Sequence, residues 1–266
     1  MLFTKAAGEQ PMISVVESFL SIQGEGRYVG TPSLFVRFGG CNLSCKGFGC
    51  EFISPLDNST LVGCDSLYAV DKKHFGSSWE EYDDAQKLFE HISFLVYGTA
   101  SLPHLVITGG EPLIHHKNPI FYDFLKLSLD KGFKVFMETN ASIDVDFEKF
   151  PLYKEVGFAM SVKLSNSGES YEKRVNKTAI TNIAAHAREA FFKFVLDAEM
   201  IKSGEAKSQI DDIIKNTHLS VFCMPLGKNS EEIEKNCYDI ISFCIKSGYN
   251  YADRIHIRLW GEKRGV

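Results

Sequence analysis

Two hydrophobic patterns alternate along the chain: short apolar runs bounded by turn residues, and longer stretches in which apolar residues recur every three or four positions. The short runs predict β-strands, and the longer stretches predict amphipathic helices. The predicted strands cover residues 13–20, 34–38, 104–108, 134–138, 158–162, 191–196, 219–224 and 255–260, and the predicted helices cover residues 78–92, 118–130, 198–215 and 231–246.

From residue 104 onward, predicted strands and helices follow one another, which is the pattern of a parallel sheet with helical connections. With about six such units, we expect an α/β fold that forms an incomplete, TIM-like (β/α) barrel with its chemistry at the C-terminal ends of the strands. No linker-like segment and no internal repeat divides the sequence, so we expect one domain spanning residues 1–266.

The composition favours a protein that acts on a small molecule. Of the 266 residues, 44% are hydrophobic and 24% are charged, and the formal net charge at pH 7 is −5. A nucleic-acid backbone demands a concentrated basic surface, so this balance argues against nucleic-acid binding. No segment approaches the roughly 20 apolar residues that cross a bilayer, and residues 1–11 lack the apolar run of a signal peptide. We therefore expect a cytoplasmic protein with no membrane partner.

Seven cysteines are distributed unevenly, with four in the first quarter of the sequence. In a reducing compartment, such crowding favours ligation of a metal or a cluster over disulfide bonds. The three later cysteines are predicted to be packing residues, because one lies in an apolar run and two lie a heptad apart in a predicted helix. These three are Cys223, Cys237 and Cys244.

The first two cysteines are Cys41 and Cys45, which follow a predicted strand and a Gly-Gly bend. A complete site needs a third thiolate, for which Cys50 and Cys64 are both candidates. Three thiolates on a 4Fe-4S cluster would leave one iron open to an exogenous ligand. A structural zinc site is the alternative that the cysteines alone leave open.

A second motif, Thr-Gly-Gly-Glu-Pro at residues 108–112, lies at the end of a predicted strand. Its glycines expose backbone groups, and Glu111 is able to accept a hydrogen bond from an ammonium. Together with the upstream cysteines, this motif resembles the radical S-adenosylmethionine (SAM) enzymes. The resemblance implies that Gly109, Gly110 and Glu111 hold the amino group of the methionine moiety.

Further segments resemble one family among these enzymes, the 7-carboxy-7-deazaguanine synthases. The most specific segment is Gln-Gly-Glu-Gly at residues 23–26, at its distance before the first cysteine. The resemblance extends across nearly the whole chain. It also includes residues 21–22, 35–38, 41–43, 108–112, 138–140, 161–163, 224–225 and the closing stretch 256–266.

In that family the last cluster cysteine is followed by Asp and then by Thr or Ser, which fits Cys64 and does not fit Cys50. The resemblance therefore implies a cluster on Cys41, Cys45 and Cys64, with an insertion at about residues 46–63. Cys50 remains an alternative third ligand. The resemblance also implies that the Ser66 hydroxyl binds Mg²⁺, which favours oxygen ligands, and a simple turn serine is the alternative.

The resemblance assigns the remaining site residues as well. It implies pterin contacts for Gln23, Glu25, Arg37, His256 and the C-terminal carboxylate of Val266, and SAM contacts for Gly109, Gly110, Glu111, Glu138, Asn140, Ser161 and Lys163. The planar fork of an arginine suits a carboxylate, and Gln and Glu side chains suit the edge of a guanidine-like ring. His115 and His116 have no role in the resemblance, and we predict that both face solvent.

The activity implied is that of a radical SAM lyase of 7-deazaguanine (queuosine) biosynthesis. It would convert 6-carboxy-5,6,7,8-tetrahydropterin to 7-carboxy-7-deazaguanine with loss of ammonia, by a radical formed when one electron from the cluster splits SAM. A flavodoxin-like electron donor and a homodimer are implied too. Two alternatives stay open: a glycyl-radical activating enzyme that acts on a partner protein, and a non-catalytic zinc-binding module.

Overall fold

A large mixed sheet organises the computed structural model, which describes residues 11–261 and 263–266. Within these residues the strands are β1 (Ile13–Ile22), β2 (Pro32–Phe38), β3 (Cys50–Ile53), β4 (Thr60–Gly63), β5 (Glu80–Tyr82), β6 (His104–Gly109), β7 (Val135–Thr139), β8 (Gly157–Met160), β9 (Glu189–Leu196), β10 (Val221–Pro225) and β11 (Asn250–Tyr251). Nine of them form the large sheet in the order β11-β10-β9-β8-β7-β6-β2-β1-β5, and β3 and β4 form a separate hairpin.

All neighbouring strands from β2 to β11 in this order pair in parallel. At the other end of the sheet, β1 is antiparallel to β2, and β5 is antiparallel to β1. Parallel strands end at the same edge of a sheet, so the residues that follow β2, β6, β7, β8, β9 and β10 are gathered along one edge. This edge is where the candidate residues of the sequence are expected to meet.

Helices follow the strands along the chain, and most of them connect parallel strands. Those of the described residues are α1 (Leu67–Val70), α2 (Lys72–Phe75), α3 (Ala85–Leu95), α4 (Pro119–Asp130), α5 (Tyr171–Arg174), α6 (Lys177–His186), α7 (Ala198–Lys202), α8 (Glu205–Ile214), α9 (Ser230–Ser247) and α10 (Ile255–Trp260). At the start of α4, Asn118 accepts a hydrogen bond from Ile120 N at 2.9 Å, and a proline occupies the first helical position. None of the helices in the described ranges has the length and apolar character needed to cross a membrane.

The core fixes the end of β2 immediately before the cysteine loop. Phe38, the last residue of β2, is fully buried and packs edge-on against Phe121 of α4, with ring centroids 4.9 Å apart. Phe124, one turn along the same helix, lies 6.0 Å from Phe38 by the same measure. Burial of one such side chain contributes about 1.5–3 kcal/mol, so this contact anchors the strand firmly.

The predicted α/β architecture with a mainly parallel sheet is confirmed. The long parallel strands β2, β6, β7, β8, β9 and β10 match the expectation of about six units. Cys223, Cys237 and Cys244 are buried, as packing residues should be. The N-terminal residues 1–10, which contain most of the segment searched for a signal peptide, lie outside the described part of the chain.

The prediction of a strand at residues 255–260 is wrong, since this segment is the helix α10. A short apolar run fits either period, and sequence pattern alone does not separate the two structures. The predicted helix 198–215 is two helices, α7 and α8, because the chain turns at Gly204 with φ at +79°.

The helix predicted at residues 78–92 begins later than expected. Its first turn starts at Ala85, and the side chain of Asp84 caps it by accepting from Gln86 N at 2.6 Å. Residues before this cap extend as β5 along β1. Trp79 and Tyr82 lie in the predicted helical range but before the observed helix, and Trp79 joins a small cluster with Tyr68 and Phe75.

The insertion between the second and the fourth cysteine folds as the β3–β4 hairpin. In its register Cys50 is opposite Gly63, so Cys50 and Cys64 lie at the same end of the hairpin. An excursion of this kind returns the chain close to its starting point, which allows two cysteines far apart in sequence to serve one site.

Candidate active site

A cavity of about 720 Å³ opens at the carboxyl edge of the parallel strands. Its wall combines the ends of several strands with the hairpin and the last residues of the chain. Of the residues predicted from the sequence, the wall contains Gln23, Glu25, Arg37, Cys41, Cys45, Cys50, Cys64, Ser66, Gly109, Gly110, Glu138, Asn140, Ser161, Lys163, His256 and Val266. The carboxylate of Glu111 lies behind this wall.

Three thiols of the wall influence one another. Burial raises the pKa of Cys41 and of Cys64 to about 12, and it also raises the pKa of Cys45. The negative charge of Cys45 adds to the increase at the other two, while the ammonium of Lys163 lowers the pKa of all three. The three sulfurs are therefore within electrostatic reach of one another and of the same lysine.

This donor set fits an iron–sulfur cluster. Thiols buried in this way stay protonated at neutral pH unless a bound cation stabilises the thiolate, which is the form that ligates iron. Leu43 N also donates to Cys41 Sγ at 3.4 Å, so the loop directs an amide toward sulfur. Within the described residues, no group of three or more His, Cys, Asp or Glu side chains is placed to hold a metal ion. The three thiols instead share one wall of a cavity.

Cys50 also reaches the cavity, from the first residue of β3. Its thiol lies 3.9 Å from the carbonyl oxygen of Phe48. The structure thus brings both candidates for the third ligand to the same wall, and the choice of Cys64 over Cys50 stays a prediction.

Glu25 is held by two cations that the sequence analysis did not identify. Arg254 Nε donates to Glu25 Oε1 at 2.8 Å, and Lys193 Nζ donates to Glu25 Oε2 at 3.0 Å. Burial alone would raise the pKa of Glu25, but Lys193 and Arg254, with His256 nearby, lower it well below its ordinary value. Glu25 is therefore an ionised acceptor in the cavity wall.

Lys193 links Glu25 to Glu138. Its ammonium donates to Glu138 Oε1 at 2.7 Å, and its side chain is 3% exposed. Gln23 Nε2 donates to the same oxygen at 3.3 Å, while Thr108 Oγ1 donates to Oε2 at 3.3 Å. Glu138, at the end of β7, thus belongs to a network with the Gln-Gly-Glu-Gly loop.

Arg37 faces the cavity from β2 and pairs with Glu17 of β1. Arg37 Nε donates to Glu17 Oε1 at 2.7 Å, and Tyr68 OH donates to the same oxygen at 2.7 Å. Arg37 Nη1 lies 3.5 Å from the carbonyl oxygen of Gly109, which it contacts as a weak donor. Since a guanidinium has five N–H donors, these bonds leave donors for a ligand.

Glu111 supports the wall from behind. Oε1 accepts from Leu113 N at 2.9 Å and from Thr139 Oγ1 at 2.8 Å, and Oε2 accepts from Asn140 N at 2.6 Å. Burial raises the pKa of this carboxyl. Asn140 in turn donates from Nδ2 to Asn42 Oδ1 at 3.0 Å, so the end of β7 is tied to the cysteine loop. The predicted contact of Glu111 with an ammonium stays a prediction.

The segment after β8 contributes Ser161 and Lys163. The strand ends at Met160, two residues before the predicted end at residue 162, so both residues lie beyond it. Ser161 N still donates to Thr139 O at 2.7 Å, which continues the contact with β7 past the strand end. Both residues reach the cavity from this extension.

Ser66 lies beside the two charged residues that close this part of the wall. Its hydroxyl donates to Asp65 Oδ1 at 3.1 Å, and Asp65 Oδ2 accepts from Arg254 Nη2 at 3.1 Å. One hydroxyl and one carboxylate therefore offer oxygen atoms at the cavity, which is the ligand type that Mg²⁺ prefers.

The C-terminal region completes the cavity. His256 of α10 packs on Gly24, where an added Cβ would lie 2.2 Å from His256 Nδ1, so that position requires glycine. Burial lowers the pKa of His256. Val266 reaches the wall, and the guanidinium of Arg264 stacks on Tyr68, 4.1 Å from the ring centroid. The chain end is thus anchored to α1, directly after the fourth cysteine.

The expectation that His115 and His116 face solvent is wrong. His116 is buried, and its Nδ1 bonds the carbonyl oxygen of Leu113 at 2.7 Å. His115 Nε2 donates to Gly39 O at 2.8 Å and supports the bend before Cys41. Both histidines therefore shape the backbone around the motif at residues 108–112.

Sequence reasoning missed Lys193, Arg254 and Glu169. Lys193 is a single lysine within the aromatic strand β9, and this isolated charge was the available signal. Arg254 and Glu169 lie in segments with no recognisable motif. Glu169 accepts hydrogen bonds from two backbone amides of the cysteine loop.

Comparison with known proteins identifies relatives that match most of the chain. A 7-carboxy-7-deazaguanine synthase of Clostridium acetobutylicum is 33% identical over 268 residues, which cover 95% of this chain and 98% of the relative. The synthase of Aquifex aeolicus is 30% identical over 236 residues, covering 88% and 87%. That of Halobacterium salinarum is 28% identical over 269 residues, covering 96% and 93%. No family model matches the chain.

A solved structure has the same fold. The crystal structure of QueE from Escherichia coli superposes with a TM-score of 0.61 at 21% sequence identity. The match covers 91% of this chain and 93% of that chain. The arrangement of strands and helices described above is therefore found in an experimental structure as well.

Proposed function

The chain belongs to the 7-carboxy-7-deazaguanine synthase family, and on that premise we propose that its cavity converts 6-carboxy-5,6,7,8-tetrahydropterin to 7-carboxy-7-deazaguanine with loss of ammonia. Family membership makes the chain an enzyme. The observation that carries the substrate assignment is the convergence of three thiols, the ends of the parallel strands and a buried charged network on one cavity.

Cys41, Cys45 and Cys64 would hold the 4Fe-4S cluster, which leaves one iron for SAM. When bound, the cluster and SAM supply a carbon-centred radical that removes hydrogen from the substrate. The residues of the chain exclude water and hold the two ligands in a fixed relative orientation, which lowers the entropic part of the barrier.

The SAM side of the cavity would be formed by the strand ends nearest the cysteines. Lys163 brings an ammonium to this wall, suited to the carboxylate of the methionine moiety, and Ser161 adds a hydroxyl. Gly109 and Gly110 present backbone groups with no side chain in the way. Asn140 is held by Asn42 of the cysteine loop, which would keep it close to the cofactor.

The pterin side would be formed by the charged network. Ionised Glu25 accepts from donors of the pyrimidine ring, while Gln23 offers both a donor and an acceptor. Arg37 brings a positive charge to the same cavity, Val266 lines it, and His256 closes it from α10. Glu138 contacts Gln23 and Lys193, so we place it between the two ligands rather than against SAM alone.

Mg²⁺ would bind between Ser66 and the carboxylate of the substrate. The oxygen atoms of Ser66 and Asp65 support this placement, because Mg²⁺ combines few protein oxygens with water and substrate oxygens. Its function would be to neutralise the substrate carboxylate and orient the ring. Omission of Mg²⁺ from the assay should then lower turnover more in the wild type than in Ser66→Ala.

The decisive experiment is an anaerobic incubation of reconstituted protein with the carboxy-tetrahydropterin, SAM and dithionite. We expect a product with the mass of 7-carboxy-7-deazaguanine and release of ammonia. Glu25→Ala should abolish the product while the protein still binds SAM. Intact pterin in the presence of a full cluster and bound SAM would refute the assignment of the substrate.

The earlier alternatives are less favoured. The relatives described above are named as synthases of a small molecule, which disfavours an activating enzyme that acts on a protein. A flavodoxin-like donor and a homodimer complete the proposal on the strength of the resemblance, and the cytoplasmic location expected from the sequence is part of it too. Turnover with reduced flavodoxin in place of dithionite would test the electron donor, and sedimentation of the reconstituted enzyme would test the homodimer.

A further inference from the structure

Glu169 holds the loop that carries the first two cysteines. Its Oε1 accepts hydrogen bonds from Ser44 N at 2.5 Å and from Cys45 N at 3.2 Å. The side chain is 10% exposed, and Oε2 lies 4.0 Å from Lys173 Nζ. Two successive amides on one anionic oxygen form a backbone nest, in which the carboxylate takes the place of a bound anion.

The conformation of Cys45 explains why this contact is needed. Cys45 has φ of 44° and ψ of 47°, which lie in the left-handed region that residues other than glycine rarely occupy. This conformation costs about 1–2 kcal/mol for a residue with a Cβ atom. The two hydrogen bonds to Glu169 offset that cost, and they do so at a residue that points its thiol into the cavity wall.

The loop also lies directly against the segment that carries Glu169. A Cβ atom added to Gly47 would lie 2.3 Å from Asn166 O and 2.7 Å from Gly168 N, so the two backbones are in contact. Glu169 follows this contact, and Lys163 precedes it. The carboxylate therefore joins the cysteine loop to the wall segment that extends from β8.

We propose that Glu169 is a positioning residue for the cluster, which fixes Cys45 in its ligating conformation and keeps two amides and one negative charge at the edge of the cluster. The inference rests on the proposed binding of a 4Fe-4S cluster by this loop. Hydrogen bonds to sulfur and local charge set the reduction potential of such clusters. Because Glu169 occupies two N–H donors and adds an anion, it makes the cluster harder to reduce.

Two substitutions separate the geometric effect from the charge. Glu169→Gln keeps a carbonyl oxygen that accepts from both amides but removes the negative charge. Glu169→Ala removes both. Glu172→Gln is the matched control, because Glu172 is an exposed residue of α5 three positions further along the same segment.

The measurements are iron content and the midpoint potential of the reconstituted protein, followed by electron paramagnetic resonance. We expect Glu169→Gln to keep the wild-type iron content and to show a tenfold higher ratio of reduced to oxidised cluster at a fixed solution potential, which corresponds to about 59 mV for one electron. We expect Glu169→Ala to lose at least half of its iron. Glu172→Gln should match the wild type in both measurements.

A wild-type potential in Glu169→Gln, or full iron content in a folded Glu169→Ala, would overturn the inference. If Glu169→Ala does not fold, the midpoint potential of the cluster in Glu169→Gln alone tests the inference. A wild type that takes up no cluster refutes both the inference and the proposed function. A wild type with a full cluster and unaltered variants refutes the role of Glu169 alone.

Discussion

Arg254 Nε donates to Glu25 Oε1 at 2.8 Å, although 229 positions separate the two residues. Other N–H groups of the same guanidinium reach Asp65 Oδ2 and Gly227 O, each at 3.1 Å. One buried side chain thus joins the Gln-Gly-Glu-Gly loop, the loop of the fourth cysteine and the loop after β10. The proposed pterin and cluster sites are therefore parts of one connected network.

Substitution of Arg254 should destabilise the protein, because Arg254→Met leaves buried Glu25 with one fewer cation. We expect a loss of about 3 kcal/mol in the free energy of unfolding, as for other broken buried pairs. Arg254→Lys keeps the charge but not the three-way geometry and should lose less. Urea denaturation of the cluster-free protein measures both values.

Arg258→Met is the matched control for Arg254→Met. Arg258 pairs with Asp253 at 2.7 Å, but its side chain is 33% exposed, so its removal should cost at most about 1 kcal/mol. Equal losses in the two variants would contradict the importance assigned to Arg254.

Lys193→Met should impair use of the pterin far more than binding of SAM. The substitution leaves the carboxylates of Glu25 and Glu138 together without their shared cation, so one of them would take up a proton. We expect kcat/KM for the pterin to fall at least 100-fold, while the Kd for SAM changes less than threefold. Stopped assays and equilibrium binding of SAM provide the two numbers.

A double substitution tests the reason for that effect. Adding Glu138→Gln to Lys193→Met removes the excess negative charge, so the double variant should be more stable than Lys193→Met alone. Lys207→Met, which breaks an exposed pair on α8, serves as the control and should leave the activity unchanged. A double variant that is no more stable than the single variant would argue against charge as the cause.

Local signals in the sequence were sufficient for much of this architecture. The apolar runs of β6 and β9 and the helical period of α4 are encoded within a few residues, and those predicted elements are confirmed. The candidate residues at the strand ends also meet in one cavity, because parallel strands necessarily share an edge. The hydrophobic period and the parallel sheet that it predicts were therefore sufficient to place these residues at one site.

Long-range partners were not predictable in the same way. The role of Lys193 and Arg254 depends on their pairing with Glu25, which lies far away along the chain. No local sequence pattern encodes such a pairing. Likewise, α10 carries an apolar run too short to reveal its period, so its structure depends on packing against Gly24. Tertiary contacts decided each of these features.

The register of the β3–β4 hairpin brings both candidates for the third cluster ligand to the same end of the hairpin. Cys50 and Cys64 both line the cavity, and Cys64 is followed by the Asp-Ser pair that the resemblance implies for the last cluster cysteine, whereas Cys50 is followed by Glu51. We expect Cys64→Ala to prevent assembly of a complete cluster and Cys50→Ala to leave the iron content unchanged. Iron analysis and visible absorption spectra after anaerobic reconstitution measure this.

Cys223→Ala controls for general effects of losing a thiol, since Cys223 is buried in the core on β10. It should retain its full complement of iron. The opposite result, in which Cys50 is essential for the iron content and Cys64 is dispensable, would identify Cys50 as the third cluster ligand.

Acid should reveal the charge of Glu25. Its folded-state pKa lies well below the ordinary value of 4.5, because Lys193 and Arg254 outweigh the opposing effect of burial. As the pH falls below 4.5, Glu25 takes up a proton in the unfolded chain but stays ionised in the folded protein. The free energy of unfolding therefore falls until the pH passes the folded-state pKa of Glu25. Glu25 therefore contributes stability above pH 4.5 that disappears in acid.

Glu25→Gln has no proton to take up, so its free energy of unfolding should fall less steeply between pH 5 and pH 3 than that of the wild type. The difference in slope is at most about 1.4 kcal/mol per pH unit for one proton. Urea denaturation of the cluster-free protein at several pH values measures it, and Glu172→Gln should keep the wild-type slope. Identical slopes in Glu25→Gln and the wild type would mean that the two cations do not hold Glu25 ionised, and the proposed acceptor for the pterin ring would then be a neutral acid.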